Sequence, residues 1–214
     1  MSIQESGLAH IDVEKGVLPS ELVEEWIKEF KKYSHANKVL MNLATASLKG
    51  EVSNRNVVLR ELSDDGFTFL TVRNGKKVQH MEENPAVSAC LYFSYLKDRK
   101  HIERQVRIEG TAEKLSKEKC KNYYDREPVH AKIRNIICDQ GAKIEWDDLK
   151  TKHDELLRKY KEGQVELEMP EHVVAYMIRP HKFDFYYAYD TYIADRIVFC
   201  KDKNGEWKCE RVAT

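Results

Sequence analysis

Three short runs in this chain put cations and amides beside β-branched residues, where strands end. They are Arg55-Asn-Val-Val-Leu-Arg60, then Leu70-Thr71 with Lys76-Lys77 soon after, then Arg104-Gln-Val-Arg-Ile-Glu-Gly110. Arginine takes phosphate oxygens with a two-pronged fork, and lysine supplies a point charge. Lys76 and Lys77 also open a short helix, whose free backbone N–H groups favour an anion. The chemistry these types suit is retention of a planar cofactor that carries phosphate, with amides for the ring edge and apolar residues for its face. Each run also has a plainer reading. Arg55 alone is a polar-face strand residue, Lys-Lys pairs are commonly solvated, and Gln105 and Arg107 alternate with Val106 and Ile108 like the wet side of a sheet. The conjunction and order of the runs favour the clamp.

The elements that must position these residues are mostly strands. Pro19-Ser20 opens an amphipathic helix, with Leu22, Val23, Trp26, Ile27 and Phe30 on one face. Strands are predicted over 39–46, 52–62, 67–71, 86–96 and 104–114, separated by turn signals such as Lys49-Gly50 and Asp64-Asp65-Gly66. A short helix over 76–83 stops at Asn84-Pro85. Helices follow over 116–126 (with a serine N-cap), 130–138 and 146–160. The last carries a stripe of Trp146, Leu149, His153, Leu156 and Tyr160. The chain then returns to strand over 173–187, 196–201 and 206–212, with Asp202-Lys-Asn-Gly205 as a hairpin turn. Seven or eight short strands with helices in their connections predict a mainly β, α+β architecture built on a closed barrel. Residues 1–18 are polar and aperiodic and read as a flexible arm, with residues 19–214 as one domain.

Composition narrows the function. Lys+Arg and Asp+Glu both number 36 in 214 residues, giving zero formal charge, so neither nucleic acid nor an anionic membrane is the expected partner. No apolar run is long enough to span a bilayer, and the start lacks a secretory signal. Five scattered cysteines without ligand spacing read as free thiols of a cytoplasmic protein, with no metal site.

Taken together, and with Asp195-Arg-Ile-Val-Phe199 and the terminal Glu210-Arg-Val-Ala, these segments resemble the pyridoxine/pyridoxamine 5'-phosphate oxidases from about Trp26 onward. The resemblance implies an FMN-binding split β-barrel, a homodimer with FMN at its interface, and contributions from both subunits. It puts Arg55, Val57 and Val58 on the first flavin-contacting strand and Leu70 and Thr71 on the next. The family's Arg-Lys pair is Lys76-Lys77 here, which keeps the charge and loses one fork. Gln105, Arg107, Gln140 and Arg196 match flavin-contacting positions; Gly141 replaces a serine beside Gln140, and Tyr186 stands where the family has tryptophan. The reactive group is the flavin itself, so no residue is singled out as catalytic.

The resemblance is weaker in the donor half. The oxidases hold the phosphate of a vitamin B6 substrate through lysine, tyrosine, arginine and serine, and cover its ring with Arg-x-His. Those positions are Arg60, Tyr123, Glu127, Ala131 and Tyr192-Ile-Ala194 in this chain. A carboxylate ~5 Å from a phosphate costs about 3 kcal/mol per charge pair at an effective dielectric near ~20. Arg126 or Arg134 compensates in part only if the helix turns. Tyr186, Tyr187, Tyr189 and Tyr192 either line a pocket for a flatter, less charged ligand or fill it. Two functions remain open on the sequence: an FMN-dependent oxidoreductase of the B6-phosphate oxidase kind with a diverged donor site, or a non-oxidising relative that binds FMN or another small ligand.

Overall fold

A computed structural model describes residues 6–214. Helix α1 (Pro19–Ser34) starts as its sequence dictates. Proline occupies the first turn, and the Glu21 carboxylate accepts from the Leu18 N–H at 2.8 Å. Its apolar face enters the core, where Trp26 meets Phe185 edge-on at 5.2 Å and Phe30 meets Phe93 at 5.0 Å.

Nine strands form one antiparallel sheet: β1 (Leu40–Ala46), β2 (Val52–Val58), β3 (Glu61–Ser63), β4 (Gly66–Val72), β5 (Ala86–Lys97), β6 (Lys100–Lys114), β7 (Val173–Tyr189), β8 (Asp195–Lys201) and β9 (Trp207–Arg211). Their order is β2-β1-β5-β6-β7-β4-β3, with β8 and β9 added beside the second half of β7. The long β7 serves two neighbours. Its first half pairs with β4 and its second half with β8, while β6 runs along nearly all of it. That rolls the sheet into a barrel in which β2 and β4 approach without a shared ladder, leaving a seam. A bulge at Glu109/Gly110 bends β6, and Gly110 has no room for a side chain: a Cβ there would stand 2.4 Å from the Arg179 carbonyl oxygen.

Four helices cover the connections: α2 (Lys76–Glu83), α3 (Lys117–Asp125), α4 (Val129–Ile137) and α5 (Trp146–Lys161). Ser116 caps α3 by accepting from the Lys119 N–H.

The structure differs from the sequence reading in four places. The strand predicted over 52–62 breaks at the seam. The Leu59 N–H still bonds to Val39 beside β1, whereas the Arg60 N–H already bonds to Thr68 in β4. Arg60 therefore sits where the chain crosses from one side of the seam to the other. Strands β5 and β6 extend to a two-residue turn, Asp98-Arg99, with positive φ at both residues; the charged run 97–103 hid these strand ends. The apolar stripe on α5 is not buried, and Trp146 is 69 % exposed. Finally, the first five residues of the expected arm lie outside the described residues, but the following ones are seated. Leu8 bridges Ile193, Ala9 and Ile11 are buried, and the Ile11 N–H donates to Asp195 Oδ2 at 2.7 Å. Among the described residues, no helix is long and apolar enough to cross a membrane.

Candidate functional site

A cavity of about 410 Å³ opens at the seam. Arg55, Asn56, Val57 and Val58 of β2 form one wall, with Arg60 at the crossover. Leu70, Thr71 and Val72 of β4 form the other, Lys77 comes from the first turn of α2, and Glu127, Arg134, Asn135, Cys138 and Gln140 close the far side. The seam thus brings together seven of the residues singled out for a cofactor (Arg55, Val57, Val58, Leu70, Thr71, Lys77, Gln140) and two singled out for a donor (Arg60, Glu127).

Two cations here have no counter-charge. Arg55 Nη1 donates to the Leu43 carbonyl at 3.1 Å and to Thr45 Oγ1 at 2.8 Å, and Thr45 Oγ1 in turn lies 3.2 Å from Nδ1 of the buried His80. Lys77 Nζ donates to Thr71 Oγ1 at 3.0 Å and to Gln140 Oε1 at 3.2 Å. No carboxylate pairs with either cation among the described residues. Lys77 is only 6 % exposed. Burial, and then the nearby Arg55 charge, pull its ammonium down to about 8. Burial likewise lowers the Arg55 guanidinium. A buried ammonium beside a half-buried guanidinium, with no carboxylate between them, is unfavourable unless an anion joins them. Gly75 completes the cradle, since a Cβ at that position would meet Gln140 Oε1 at 2.5 Å and Lys77 Nζ at 3.2 Å. The donor set therefore fits the phosphate of FMN, with Val57, Val58 and Leu70 as apolar wall.

The charges farther along the cavity are already paired, although the buried Arg60 Nε keeps no hydrogen-bond partner among the described residues. Arg60 Nη2 donates to Glu127 Oε2 at 2.6 Å, with the Glu127 side chain 3 % exposed. Tyr123 lies outside the cavity. Its hydroxyl donates to Glu61, and its ring lies under the Arg126 guanidinium. Ala131 is buried in α4 and does not line the cavity.

A second polar cluster stands on the outer face of β6, β7 and β8. Arg196 grips Asp184 with two hydrogen bonds, Nε to Oδ1 at 2.9 Å and Nη2 to Oδ2 at 2.7 Å, and Arg107 donates to the same carboxylate. Burial pushes the Asp184 carboxyl up, but the bonds from Arg196 and Arg107 outweigh it and hold the group below its usual range. Gln105 sits opposite Tyr186, and Tyr186 opposite Arg196, on the same face. None of Gln105, Arg107, Tyr186 and Arg196 lines the seam cavity.

Other expected residues stand elsewhere. Lys76 is exposed and lines a separate depression on the other side of Gln140. Tyr192 stacks on Tyr189 with centroids 4.2 Å apart, against the backbone of Gly7. Ala194 lies in the connection before β8. The tyrosines therefore pack on one another and leave the seam cavity open. Sequence reasoning missed Thr45, Asn56, Asp184 and Asn135. Strand alternation signals three of them, because Thr45 shares the face of Met41 and Leu43, Asn56 that of Val58, and Asp184 that of Tyr186. Asn135, a buried amide on a helix, carried no sequence signal.

PhzG from Burkholderia lata 383, solved in complex with tetrahydrophenazine-1-carboxylic acid, superposes on this chain with a TM-score of 0.79 at 22 % identity, covering 92 % of both chains. An FMN-binding protein from Nostoc punctiforme, described as pyridoxamine 5'-phosphate oxidase-related, superposes with a TM-score of 0.70 at 15 % identity over 93 % of this chain and 99 % of its own. These likenesses establish the fold as the FMN-binding split barrel. In sequence, the pyridoxine/pyridoxamine 5'-phosphate oxidase of Crocosphaera subtropica is 31 % identical over 210 residues, covering 97 % of this chain and 94 % of that one. The enzyme of the same description from Salinibacter ruber is 32 % identical over 197 residues, covering 91 % and 88 %. The pyridoxamine 5'-phosphate oxidase family model matches residues 24–154, a stretch that holds both walls of the seam and its cation clamp. On fold, sequence and seam alike, this chain belongs to the pyridoxamine 5'-phosphate oxidase family.

Proposed function

We propose that the protein is an FMN-dependent oxidoreductase that works as a homodimer, with a donor site unlike that of the B6-phosphate oxidases. The observation that carries this reading is the pair of cations without a carboxylate partner at the seam, the half-buried Arg55 and the buried Lys77. FMN, when bound, supplies the chemistry by accepting a hydride equivalent from the donor. The chain's own residues do the rest. Arg55 and Lys77 neutralise the phosphate. Thr45 holds the Arg55 fork, and Gln140 and Thr71 hold the Lys77 amine, so neither cation must be ordered on binding. Val57, Val58 and Leu70 keep water from the ring face. No protein acid or base is needed at the reacting carbon.

The dimer accounts for the outer-face cluster. Gln105 and Tyr186 offer amide and ring groups that the seam does not use, and Arg107 and Arg196 stand beside them, held on Asp184. Beside them Tyr92 is 57 % and Leu40 is 52 % exposed, apolar surface suited to a second copy. The resemblance to the oxidases implies the same sharing between subunits.

The test is to load the protein with FMN, remove excess by gel filtration, and mix it anaerobically with pyridoxamine 5'-phosphate and, separately, pyridoxamine while following flavin absorbance. Retention of about one flavin per chain and bleaching by either donor support the proposal. Retained flavin that stays oxidised with both donors favours the non-oxidising binder. A protein that elutes colourless overturns the site.

A further inference from the structure

We infer that the electron donor of this site carries no phosphate, because the protein fills the anion position beyond the flavin clamp with its own carboxylate; this rests on the seam being the flavin site. Arg60 stands at the crossover, where an incoming donor would meet a cation. Its charge is spent before any ligand arrives. Glu127 Oε2 lies 2.6 Å from Arg60 Nη2, and both residues line the cavity. Glu127 is nearly inaccessible to water, and Arg60 is its sole ion-pair partner among the described residues. A phosphate reaching Arg60 would have to break that pair and leave a buried carboxylate unpaired beside a dianion. The Tyr123 hydroxyl, outside the cavity, is also taken, since it donates to Glu61. Arg134 remains as a cation on the rim, but it is exposed and its charge is screened by water, so it does not replace a buried anchor.

The donor class that fits is a flat, phosphate-free molecule that presents a neutral hydrogen-bonding edge or an apolar ring to the Arg60–Glu127 pair. Two features distinguish this from a damaged phosphate site. The carboxylate is bonded to the guanidinium through Nη2 rather than merely adjacent, which leaves the buried Nε of Arg60 without a partner, and the cavity stays open instead of being filled by Tyr189 and Tyr192. The pair acts as a specificity device, rejecting a phosphorylated ligand while keeping the pocket's shape.

The test uses the FMN-loaded protein, titrated anaerobically with pyridoxine 5'-phosphate and with pyridoxine, and read by flavin difference spectra. For the wild type the half-saturating concentrations should agree within about threefold, or neither ligand should bind at all. Glu127→Arg should then favour the phosphate ester by about thirtyfold or more. Glu127→Gln, which frees Arg60 without adding charge, should favour it by about fivefold and serves if the arginine variant does not fold. A wild type that prefers the phosphate ester tenfold overturns the inference, as does a folded variant that gains no preference. Loss of flavin from the wild type would instead refute the flavin site itself.

Discussion

Replacing Lys77 with methionine separates affinity from stability in a way few changes can. The substitution keeps the length and apolar stem of the side chain and removes one charge. A cation ~4 Å from one phosphate charge is worth roughly 4 kcal/mol at an effective dielectric of ~20. Part of this is offset by dehydration of the phosphate, so a net loss of about 3 kcal/mol is a fair expectation, or roughly a hundredfold in Kd for FMN. Stability should move the other way or stay unchanged, because the ammonium is buried beside Arg55 with no carboxylate partner. The pH dependence gives a second signature. In the free protein the Lys77 ammonium titrates at about 8, and a bound dianion raises that value. Affinity is therefore full below pH 8 and falls as pH rises, by close to tenfold between about pH 7 and 9, while the phosphate (second pKa ~6) stays a dianion throughout. Lys77→Met should show no such slope. The assay is quenching of FMN fluorescence across that pH range, with urea unfolding of the flavin-free proteins alongside. A change in FMN Kd of less than threefold at pH 7, or a large loss of stability in the flavin-free variant, would show that Lys77 serves the fold and not the phosphate.

Three further outcomes follow from the same geometry. Thr45→Val removes the hydroxyl that fixes Arg55 Nη1 at 2.8 Å, and should weaken FMN about tenfold without touching the ligand, as equilibrium titration will show. Gly110→Ala pushes a Cβ to 2.4 Å from the Arg179 carbonyl oxygen at the β6 bulge, so urea unfolding should reveal a loss of at least about 2 kcal/mol. Glu29→Gln breaks the ion pairs to Lys97 (3.0 Å) and Arg104 (3.4 Å) under Trp26 and Tyr187. Burial raises the Glu29 carboxyl, but the hydrogen bonds from Tyr95 and Lys97 and the Arg104 charge outweigh it and leave the folded value lowered. Its contribution is thus present above the unfolded carboxyl's pKa and lost as pH falls through the folded value. The variant should be less stable at pH 7 by about 2 kcal/mol, with a shallower acid limb in Tm against pH.

Much of the fold was legible because its strands carry their own signals. Alternation in β5 and β6, the Asn84-Pro85 stop after α2 and the Asp202–Gly205 turn each act locally, so the sequence read them well. The seam was not legible in that way. Whether residues 52–62 form one strand or two depends on β4 standing ready to accept the Arg60 N–H, a contact between distant segments. The pairing of Glu127 with Arg60 is of the same kind, 67 residues apart. In the sequence Glu127 appears only as a charge set against a phosphate; in the structure it has already found its cation. Lys76 and Lys77 look alike in sequence, yet the helix register turns one outward and buries the other. The stripe on α5 marks the opposite failure, since periodicity shows that a helix has an apolar face but not that anything covers it.

The central claim is that this seam holds FMN by its phosphate, and the most direct measurement compares FMN with riboflavin, which has the same ring and no phosphate. Both are titrated into the flavin-free protein at pH 7 and followed by fluorescence quenching. The arrangement of Arg55 and Lys77 predicts that FMN binds at least about a hundredfold tighter than riboflavin. Equal affinity for the two would contradict the phosphate clamp, and with it the assignment of the seam as the flavin site.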